Sequence, residues 1–177
     1  VIVPSEYFSE YYKKFNNEVL TIFNVPEKDI FVPKGFKQSK TFTVSYFGNV
    51  RWYNQLIDLM EATKDLEDVR IFIGGEGIKF NEIQKVVKNY KHVEIRGFVP
   101  YKELISRYRT SDCIYAVYPS FDAVIKYSIP MKIFEAMACA LPVIVNHEGY
   151  TGKFVRKNKI GLCVEDGNLE QIRKAII

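Results

Sequence analysis

The side chains with the clearest potential for chemistry are Lys132 and Glu135, which stand three residues apart in an otherwise apolar segment. Pro130 suits the first turn of a helix, because the N–H that proline lacks has no partner there. Pro142 ends that predicted helix, and a short apolar strand follows it. A carboxylate near a helix start, beside the open end of a strand in an α/β protein, can hold the hydroxyl pair of a sugar.

The same spacing has a simpler explanation. A lysine and a glutamate three residues apart commonly form a solvated ion pair, which stabilises a helix by only about 0.2–0.5 kcal/mol. Residues 129–145 are apolar almost all round, and this favours a buried helix. Spacing alone leaves both interpretations open.

A second candidate group follows the predicted strand 42–47. Gly48 permits the backbone to approach a ligand closely, Asn49 follows it, and Arg51 lies at the first turn of the next predicted helix. A diphosphate needs N–H groups at a helix start together with a cation, so this loop is a candidate phosphate site. A plain strand–helix turn with a solvated arginine explains the pattern equally well.

Two further loops follow predicted strands. Gly75 and Glu76 belong to a glycine-rich run that departs from G-x-G-x-x-G. The run therefore does not support a dinucleotide cofactor. Gly97 and Val99 lie in a turn whose backbone can meet the edge of a base, although a turn that merely ends a strand has the same sequence.

The elements that must position these loops alternate regularly from Thr41 onward. The predicted strands cover residues 42–47, 69–73, 93–96, 113–118, 143–145 and 161–164, and their continuous apolar runs predict burial on both faces of the sheet. A further strand is predicted over 19–23 and a short helix over 153–156. In the predicted helix after Pro100, Tyr108 lies on the inward face. Amphipathic helices lie between most of the strands, which predicts an α/β fold with a Rossmann-like, doubly wound parallel sheet of about six strands. Such a sheet binds its ligand outside the carboxyl ends of its strands, and each unusual loop of this chain follows a strand.

Size and composition exclude several classes of protein. The 177 residues, 47% apolar and 26% charged, are enough for one globular domain. The net charge of +4 is too small to argue for nucleic acid, and no apolar run approaches the ~20 residues of a membrane span. Three scattered cysteines predict reduced, buried thiols in a cytoplasmic protein, and two isolated histidines do not support a zinc site.

Several strings of the sequence resemble one known family. The string P-x-K-x-x-E-A-M-A-x-x-x-P-V-I from Pro130 is similar to the C-terminal half of the group 1 glycosyltransferases, which have the GT-B fold. Y-F-G-N from Tyr46, R-G-F-V-P from Arg96 and G-L-C-V-E-D-G from Gly161 are similar to other motifs of that family. The resemblance implies a donor-binding domain over 41–177. Residues 1–40 would connect it to an N-terminal, acceptor-binding domain of the same natural chain.

The resemblance also implies roles for individual residues. Glu135 would hydrogen-bond the ribose of a UDP- or GDP-sugar, while Arg51 and Lys132 would stabilise the leaving diphosphate without a metal. The donor itself is a substrate, so no separate cofactor is expected. The implied protein is a retaining glycosyltransferase of the cytoplasm, with membrane association only at its periphery and a glycan or lipid-linked acceptor.

Two departures from the family pattern concern the sugar and the phosphates. Tyr127 stands eight residues before Glu135, where the family commonly has a glutamate that contacts the donor hexose. Asp122 is the one carboxylate in the loop before it, so either Asp122 replaces that glutamate or the hexose contact differs. Asn49 follows Gly48 where the family often has arginine.

Three functions therefore remain open from the sequence. The first is the donor-binding half of a glycosyltransferase. The second is a non-catalytic module that kept the fold and lost the site. The third is a sugar-nucleotide epimerase, which can share the GT-B shape and would isomerise a donor without an acceptor.

Overall fold

The computed structural model describes residues 1–33, 35 and 40–177. The strands, numbered in chain order, are β1 (Ile2–Val3), β2 (Leu20–Thr21), β3 (Phe42–Phe47), β4 (Val69–Gly74), β5 (Val93–Arg96), β6 (Cys113–Ala116), β7 (Val143–Asn146) and β8 (Gly161–Val164). The helices are α1 (Glu6–Tyr12), α2 (Asn54–Thr63), α3 (Phe80–Val87), α4 (Tyr101–Thr110), α5 (Ala123–Tyr127), α6 (Met131–Ala138), α7 (Gly149–Asn158) and α8 (Leu169–Ile176).

The main sheet contains six parallel strands in the order β5-β4-β3-β6-β7-β8. The chain enters at β3, builds outward to β5, crosses back to β6 beside β3, and then builds outward to β8. This order confirms the predicted doubly wound sheet. It places the topological switch point between β3 and β6, where Val44 pairs with Cys113.

Apolar cores lie on both faces of the sheet, because neighbouring residues of a strand point to opposite sides. On one face, Tyr115 of β6 packs in a cluster with Leu56 of α2 and Ile172 of α8. On the other face, Ile114 of β6 packs in a cluster with Ile133 of α6. The central strands β6 and β7 are buried throughout. The prediction of strands buried on both faces is wrong for β5 and β8, since these edge strands include exposed residues.

Three local predictions need correction. The segment after β6, predicted as a loop, contains the short helix α5, whose five residues are too few to show helical periodicity. Helix α7 begins at Gly149 and spans ten residues, where a short helix over 153–156 was expected. A Cβ at Gly149 would lie 2.3 Å from the carbonyl oxygen of Ile125, so close packing requires a glycine that weakens the helical pattern. The predicted strand 19–23 is reduced to the two residues of β2.

The predicted connector, residues 1–40, is attached to the domain as far as it is described. Strands β1 and β2 form a separate parallel pair beside α1. Phe23 packs against Phe134 with ring centroids 5.5 Å apart, and Phe31 is only 4% exposed. Residues 34 and 36–39 of the connector lie outside the described residues. Each helix in the part of the chain that the structure describes is too short or too polar to cross a bilayer.

Candidate functional site

A crevice of about 470 Å³ opens at the carboxyl ends of β3, β4 and β5 and is closed on one side by α6. It is lined by Phe47, Gly48, Asn49, Gly74, Gly75, Glu76, Phe98, Val99, Leu104, Met131, Lys132 and Glu135. Two somewhat larger depressions, of about 530 and 550 Å³, lie at the opposite edge of the sheet around His92. Parallel sheets bind ligands at the carboxyl edge, and the crevice is larger than the cavity of about 300 Å³ at the carboxyl ends of β7 and β8, so the crevice is the candidate site.

The crevice brings together many of the residues that the sequence singled out. Seven of the predicted site residues line it, namely Gly48, Asn49, Gly75, Glu76, Val99, Lys132 and Glu135. Gly97, Arg51, Asp122 and Tyr127 do not line it. The loops after three strands thus converge on one cavity, as their positions at strand ends predicted.

Glycines allow two of these loops to touch backbone to backbone. A Cβ at Gly75, where φ is +144°, would lie 1.9 Å from the carbonyl oxygen of Gly48. A Cβ at Gly77 would lie 2.4 Å from Oδ1 of Asn49. The Tyr46 hydroxyl donates to the carbonyl of Asn49 at 2.7 Å and so holds the loop after β3 in place. The glycine-rich run therefore serves loop packing at the floor of the crevice.

Lys132 places a cation in the crevice from the first turn of α6. Its Nζ lies 4.0 Å from the ring centroid of Tyr46 and 5.3 Å from that of Tyr118. It also approaches the loop after β3, because a Cβ at Gly48 would lie 3.2 Å from it. Burial lowers the pKa of Lys132, and Tyr46 and Glu135 partly oppose this effect. No carboxylate of the described residues forms an ion pair with it, so a bound anion would relieve the cost of its charge.

Glu135 lies one turn further along α6 and is only 4% exposed. Its Oε2 accepts a hydrogen bond of 2.5 Å from the hydroxyl of Tyr108, a fully buried residue of α4. Burial raises the pKa of Glu135, while the Tyr108 hydrogen bond and the charge of Lys132 act in the opposite direction. The solvated ion pair proposed as the simpler explanation is not what the structure contains, because Glu135 is buried and bonds to a tyrosine.

Glu76 anchors the turn after β5. Its Oε1 accepts a hydrogen bond of 3.1 Å from the backbone N–H of Phe98. A Cβ at Gly97 would lie 3.2 Å from the same oxygen, so Gly97 stands behind this contact and does not face the crevice. The turn therefore presents the apolar side chain of Val99 and the backbone around it to the cavity.

Arg51 and Asp122 lie in the loops after β3 and β6, outside the crevice lining, and each contacts Trp52. Helix α2 begins only at Asn54, so Arg51 does not lie in its first turn as predicted. The guanidinium of Arg51 is exposed and stacks 4.7 Å above the Trp52 ring. The indole N–H of Trp52 donates to Oδ2 of Asp122 at 2.5 Å, and Phe121 packs edge-on against the same ring. These contacts join the loop after β3 to the loop after β6. Sequence spacing gave no sign of this role for Trp52.

Tyr127 faces the amino-terminal segment and not the crevice. Its ring centroid lies 4.6 Å from that of Tyr7 in α1, and its carbonyl accepts a hydrogen bond of 2.6 Å from Ser5. The loop before it is held from the other side by Asn146 at the end of β7. The Asn146 side chain accepts from the N–H of Tyr118 at 2.8 Å and donates to its carbonyl at 2.7 Å.

Neither Tyr46 nor Tyr108 was predicted as a site residue from the sequence. Tyr108 was placed on the inward face of its helix, and that position was itself a usable signal, because a buried tyrosine hydroxyl usually finds a partner. The three cysteines form no disulfide within the described residues, and burial raises the pKa of Cys113 to about 12. Within the described residues, no group of three or more His, Cys, Asp and Glu could hold a metal ion.

Comparison with known proteins gives one family and several similar folds. The sequence model of the family described as "Glycosyl transferases group 1" matches residues 27–177. A comparison with curated protein sequences finds no match. Among solved structures, sucrose-phosphate synthase from Thermosynechococcus elongatus is 20% identical with a TM-score of 0.75, and the match covers 99% of this chain and 47% of that one.

Two other solved structures extend this comparison. HepE from Anabaena, solved in complex with UDP and glucose, is 15% identical with a TM-score of 0.70, over 99% of this chain and 52% of that one. The C-terminal domain of the group 1 family glycosyl transferase LpcC from Francisella tularensis is 22% identical with a TM-score of 0.64, over 84% of each chain. The present chain spans about half the length of the synthase and of HepE. At these identities the likeness concerns the fold.

Proposed function

The chain belongs to the group 1 glycosyltransferases, and from this premise we propose that it is the donor-binding domain of an enzyme that transfers a sugar from a UDP- or GDP-sugar. The observation that carries the proposal is the pairing of Lys132 and Glu135 on the first turns of α6 at a crevice on the carboxyl edge of the sheet. One side chain suits an anion and the other suits a pair of hydroxyls. A nucleotide diphosphate sugar offers both groups.

The diphosphate is assigned to the side of the crevice formed by Lys132 and Gly48. The positive end of the α6 dipole and the Lys132 ammonium both favour negative charge there. Gly48 leaves space for the phosphate oxygens, since its missing side chain would point toward Lys132 Nζ. In the transfer step, the same cation stabilises the charge that develops on the leaving diphosphate, so the proposal requires no metal.

The nucleoside is assigned to Glu135 and the turn after β5. The Tyr108 hydroxyl occupies Oε2 of Glu135, and no donor of the described residues reaches Oε1. Oε1 is therefore the oxygen that accepts from the ribose hydroxyls. The base lies against Val99 and the backbone of its turn, on the apolar wall that Phe47 and Leu104 complete.

The remaining parts of the proposal concern the whole natural protein. We place the acceptor site in an N-terminal domain of the same natural chain, in agreement with the half-length coverage of the solved relatives. The acceptor is a glycan or a lipid-linked glycan, the reaction retains the anomeric configuration, and the enzyme works in the cytoplasm with peripheral membrane contact at most.

Calorimetry of this chain with UDP and GDP tests the donor site. The C-terminal domain of LpcC has been solved by itself, which supports the use of an isolated domain. We expect binding of at least one nucleotide in the micromolar to millimolar range, and weaker binding of uridine or guanosine because they lack the diphosphate. Absence of heat from both nucleotides at millimolar concentration would contradict the proposal.

A second function is favoured by one specific observation. Tyr127 packs against α1, and the Oδ2 of Asp122 accepts a hydrogen bond from Trp52, so neither lines the crevice where a donor hexose would lie. A non-catalytic module that binds a nucleotide sugar would have this arrangement. It predicts that Glu135→Ala and Lys132→Ala leave the activity of the natural full-length protein unchanged, whereas the enzyme hypothesis predicts a large loss of turnover in both variants, because both side chains line the crevice.

A further inference from the structure

The orientation of the Glu135 carboxylate depends on one hydrogen bond. Tyr108 donates to Oε2 at 2.5 Å, and no other donor of the described residues reaches this carboxylate. The side chain is nevertheless almost wholly removed from water, with 4% exposure. Because the hydrogen bond fixes Oε2 of this buried carboxylate, it also sets the direction in which Oε1 points.

Tyr108 is itself held rigidly. Its ring stacks on Phe47 with centroids 4.6 Å apart and planes 29° apart. Phe31 packs edge-on against the other side, with centroids 5.1 Å apart. Burial and the neighbouring Glu135 charge raise the pKa of Tyr108, so its hydroxyl remains a donor. The hydrogen bond therefore starts from a fixed point in the core.

We propose that Tyr108 is a positioning residue that holds Glu135 with one oxygen turned toward the hydroxyl pair of a bound ribose. This inference rests on the proposed function, because it assumes that a nucleotide occupies the crevice. Its consequence is selectivity: the site discriminates a ribonucleotide from an analogue without ribose hydroxyls only while the Tyr108 hydroxyl is present.

The test compares UDP with 2′,3′-dideoxy-UDP in calorimetry, with the corresponding guanine pair used if GDP is the better ligand. The ratio of the two dissociation constants reports the ribose contact and cancels effects on base and phosphates. In the unchanged chain we expect UDP to bind about 10- to 100-fold more tightly, as for hydrogen bonds to a charged group. In Tyr108→Phe we expect a ratio of about threefold or less.

Tyr115→Phe is the matched control. Tyr115 is also fully buried, but its hydroxyl has no hydrogen-bond partner among the residues that the structure describes, and Tyr115 does not line the crevice. Both variants remove a hydroxyl oxygen from a fully buried tyrosine ring. In Tyr115→Phe the preference for UDP over its dideoxy analogue should be unchanged. A loss of the preference in Tyr115→Phe equal to that in Tyr108→Phe would overturn the proposal, since it would show a general loss of core packing.

Glu135→Gln separates the proposed donor site from the proposed positioning role of Tyr108. If Glu135→Gln loses the preference and Tyr108→Phe keeps it, the positioning role is overturned and the donor site stands. If the unchanged chain binds UDP without preference over the dideoxy analogue, the ribose contact of Glu135 and the positioning role of Tyr108 are both wrong.

Glu135→Asp provides a second route if Tyr108→Phe fails to fold. Its shorter side chain keeps the charge but cannot reach the Tyr108 hydroxyl and a ribose together, so the preference should fall as in Tyr108→Phe. Retention of the full preference in Glu135→Asp would overturn the proposal.

Discussion

At Glu135 the fold keeps a carboxylate in a place that disfavours its charge. Its pKa is raised by burial, and only Tyr108 and Lys132 act against this rise. A protein that needed stability alone would place a neutral or apolar residue at this position. The unfavourable free energy of burying the Glu135 carboxylate is therefore an argument for a ligand contact, since strained and unfavourably charged groups are concentrated at functional sites.

Glu135→Gln should stabilise the chain and weaken nucleotide binding at the same time. Because the folded-state pKa lies above the ordinary value of 4.5, the unfolded chain releases the proton first as pH rises. The folded state thus loses stability from pH 4.5 upward, until Glu135 is ionised in both states. We expect the free energy of unfolding of the variant to exceed that of the unchanged chain at pH 7–8 and to match it near pH 4. Urea denaturation at each pH measures this, and equal pH profiles would contradict it.

Lys132→Met should remove the preference of the site for a diphosphate. The cation contacts the rings of Tyr46 and Tyr118 and has no ion-pair partner among the described residues, so its charge is available to a ligand. We expect UDP binding to weaken about 10- to 100-fold and uridine binding to change little. As pH rises, the UDP affinity of the unchanged chain should start to fall before pH 10.5 is reached, because the lowered pKa of Lys132 lets its amine lose the proton earlier than an ordinary lysine does.

Lys126→Met is the control for that experiment. Lys126 is an exposed lysine of α5 that does not line the crevice. Its replacement by methionine therefore removes the same charge without changing the site. A similar loss of UDP affinity in both variants would show that the net charge of the chain, and not the position of Lys132, governs binding.

At the scale of the elements, the site is made by loops that are joined to one another. The loops after β3 and β4 touch through Gly48 and Gly75, and the loops after β3 and β6 are joined by Trp52 and Asp122. Each element contributes one or two side chains, so the geometry depends on how closely the loops approach.

Gly75→Ala should separate the first pair of loops. The new Cβ would lie 1.9 Å from a backbone oxygen that no rotamer change can move, and φ is +144°. We expect a loss of more than about 2 kcal/mol in the free energy of unfolding, together with a loss of UDP affinity. Gly167→Ala is the control: φ is +78°, but the added Cβ meets nothing within 4 Å, so about 1 kcal/mol is expected. Equal losses in the two variants would contradict the role of the loop contact.

Sequence patterns predict the sheet well and the side-chain geometry less well. Strands such as β6 and β7 are short runs of mainly apolar residues, and that signal does not depend on distant residues. Helices α5 and α7 were missed or shortened because one is only five residues long and the other contains glycines for close packing. Lys132 and Glu135 were found because they are polar residues in an apolar helix.

The orientation of Arg51 could not be predicted by the same reasoning. Its place after a strand was correct, but its direction depends on stacking against Trp52, which in turn bonds to Asp122 seventy residues away. The partner of the Tyr108 hydroxyl could not be predicted for a related reason, since this hydrogen bond joins two helices that are separate in the sequence. Contacts of this kind follow from tertiary packing and leave no local pattern.

At the scale of the whole molecule, the amino-terminal segment is connected to the donor site through the core. Phe31 packs on Tyr108, and Tyr108 bonds to Glu135, so three residues link the segment before β3 to the crevice. The domain boundary predicted at residue 41 would divide this chain of contacts. The family match, which begins at residue 27, retains Phe31.

Phe31→Ala should therefore affect both stability and nucleotide binding. Removal of a ring that is 4% exposed should cost about 3–5 kcal/mol in the free energy of unfolding. Because Tyr108 loses its edge-on neighbour, UDP affinity should fall even under conditions where the variant is fully folded. Phe15→Ala removes a ring that is 72% exposed and should change stability by no more than about 0.5 kcal/mol. Urea denaturation and calorimetry measure the two effects. If the chain shortened to 41–177 is as stable as the whole and binds UDP equally well, the segment is a passive connector and the proposed link through Phe31 is wrong.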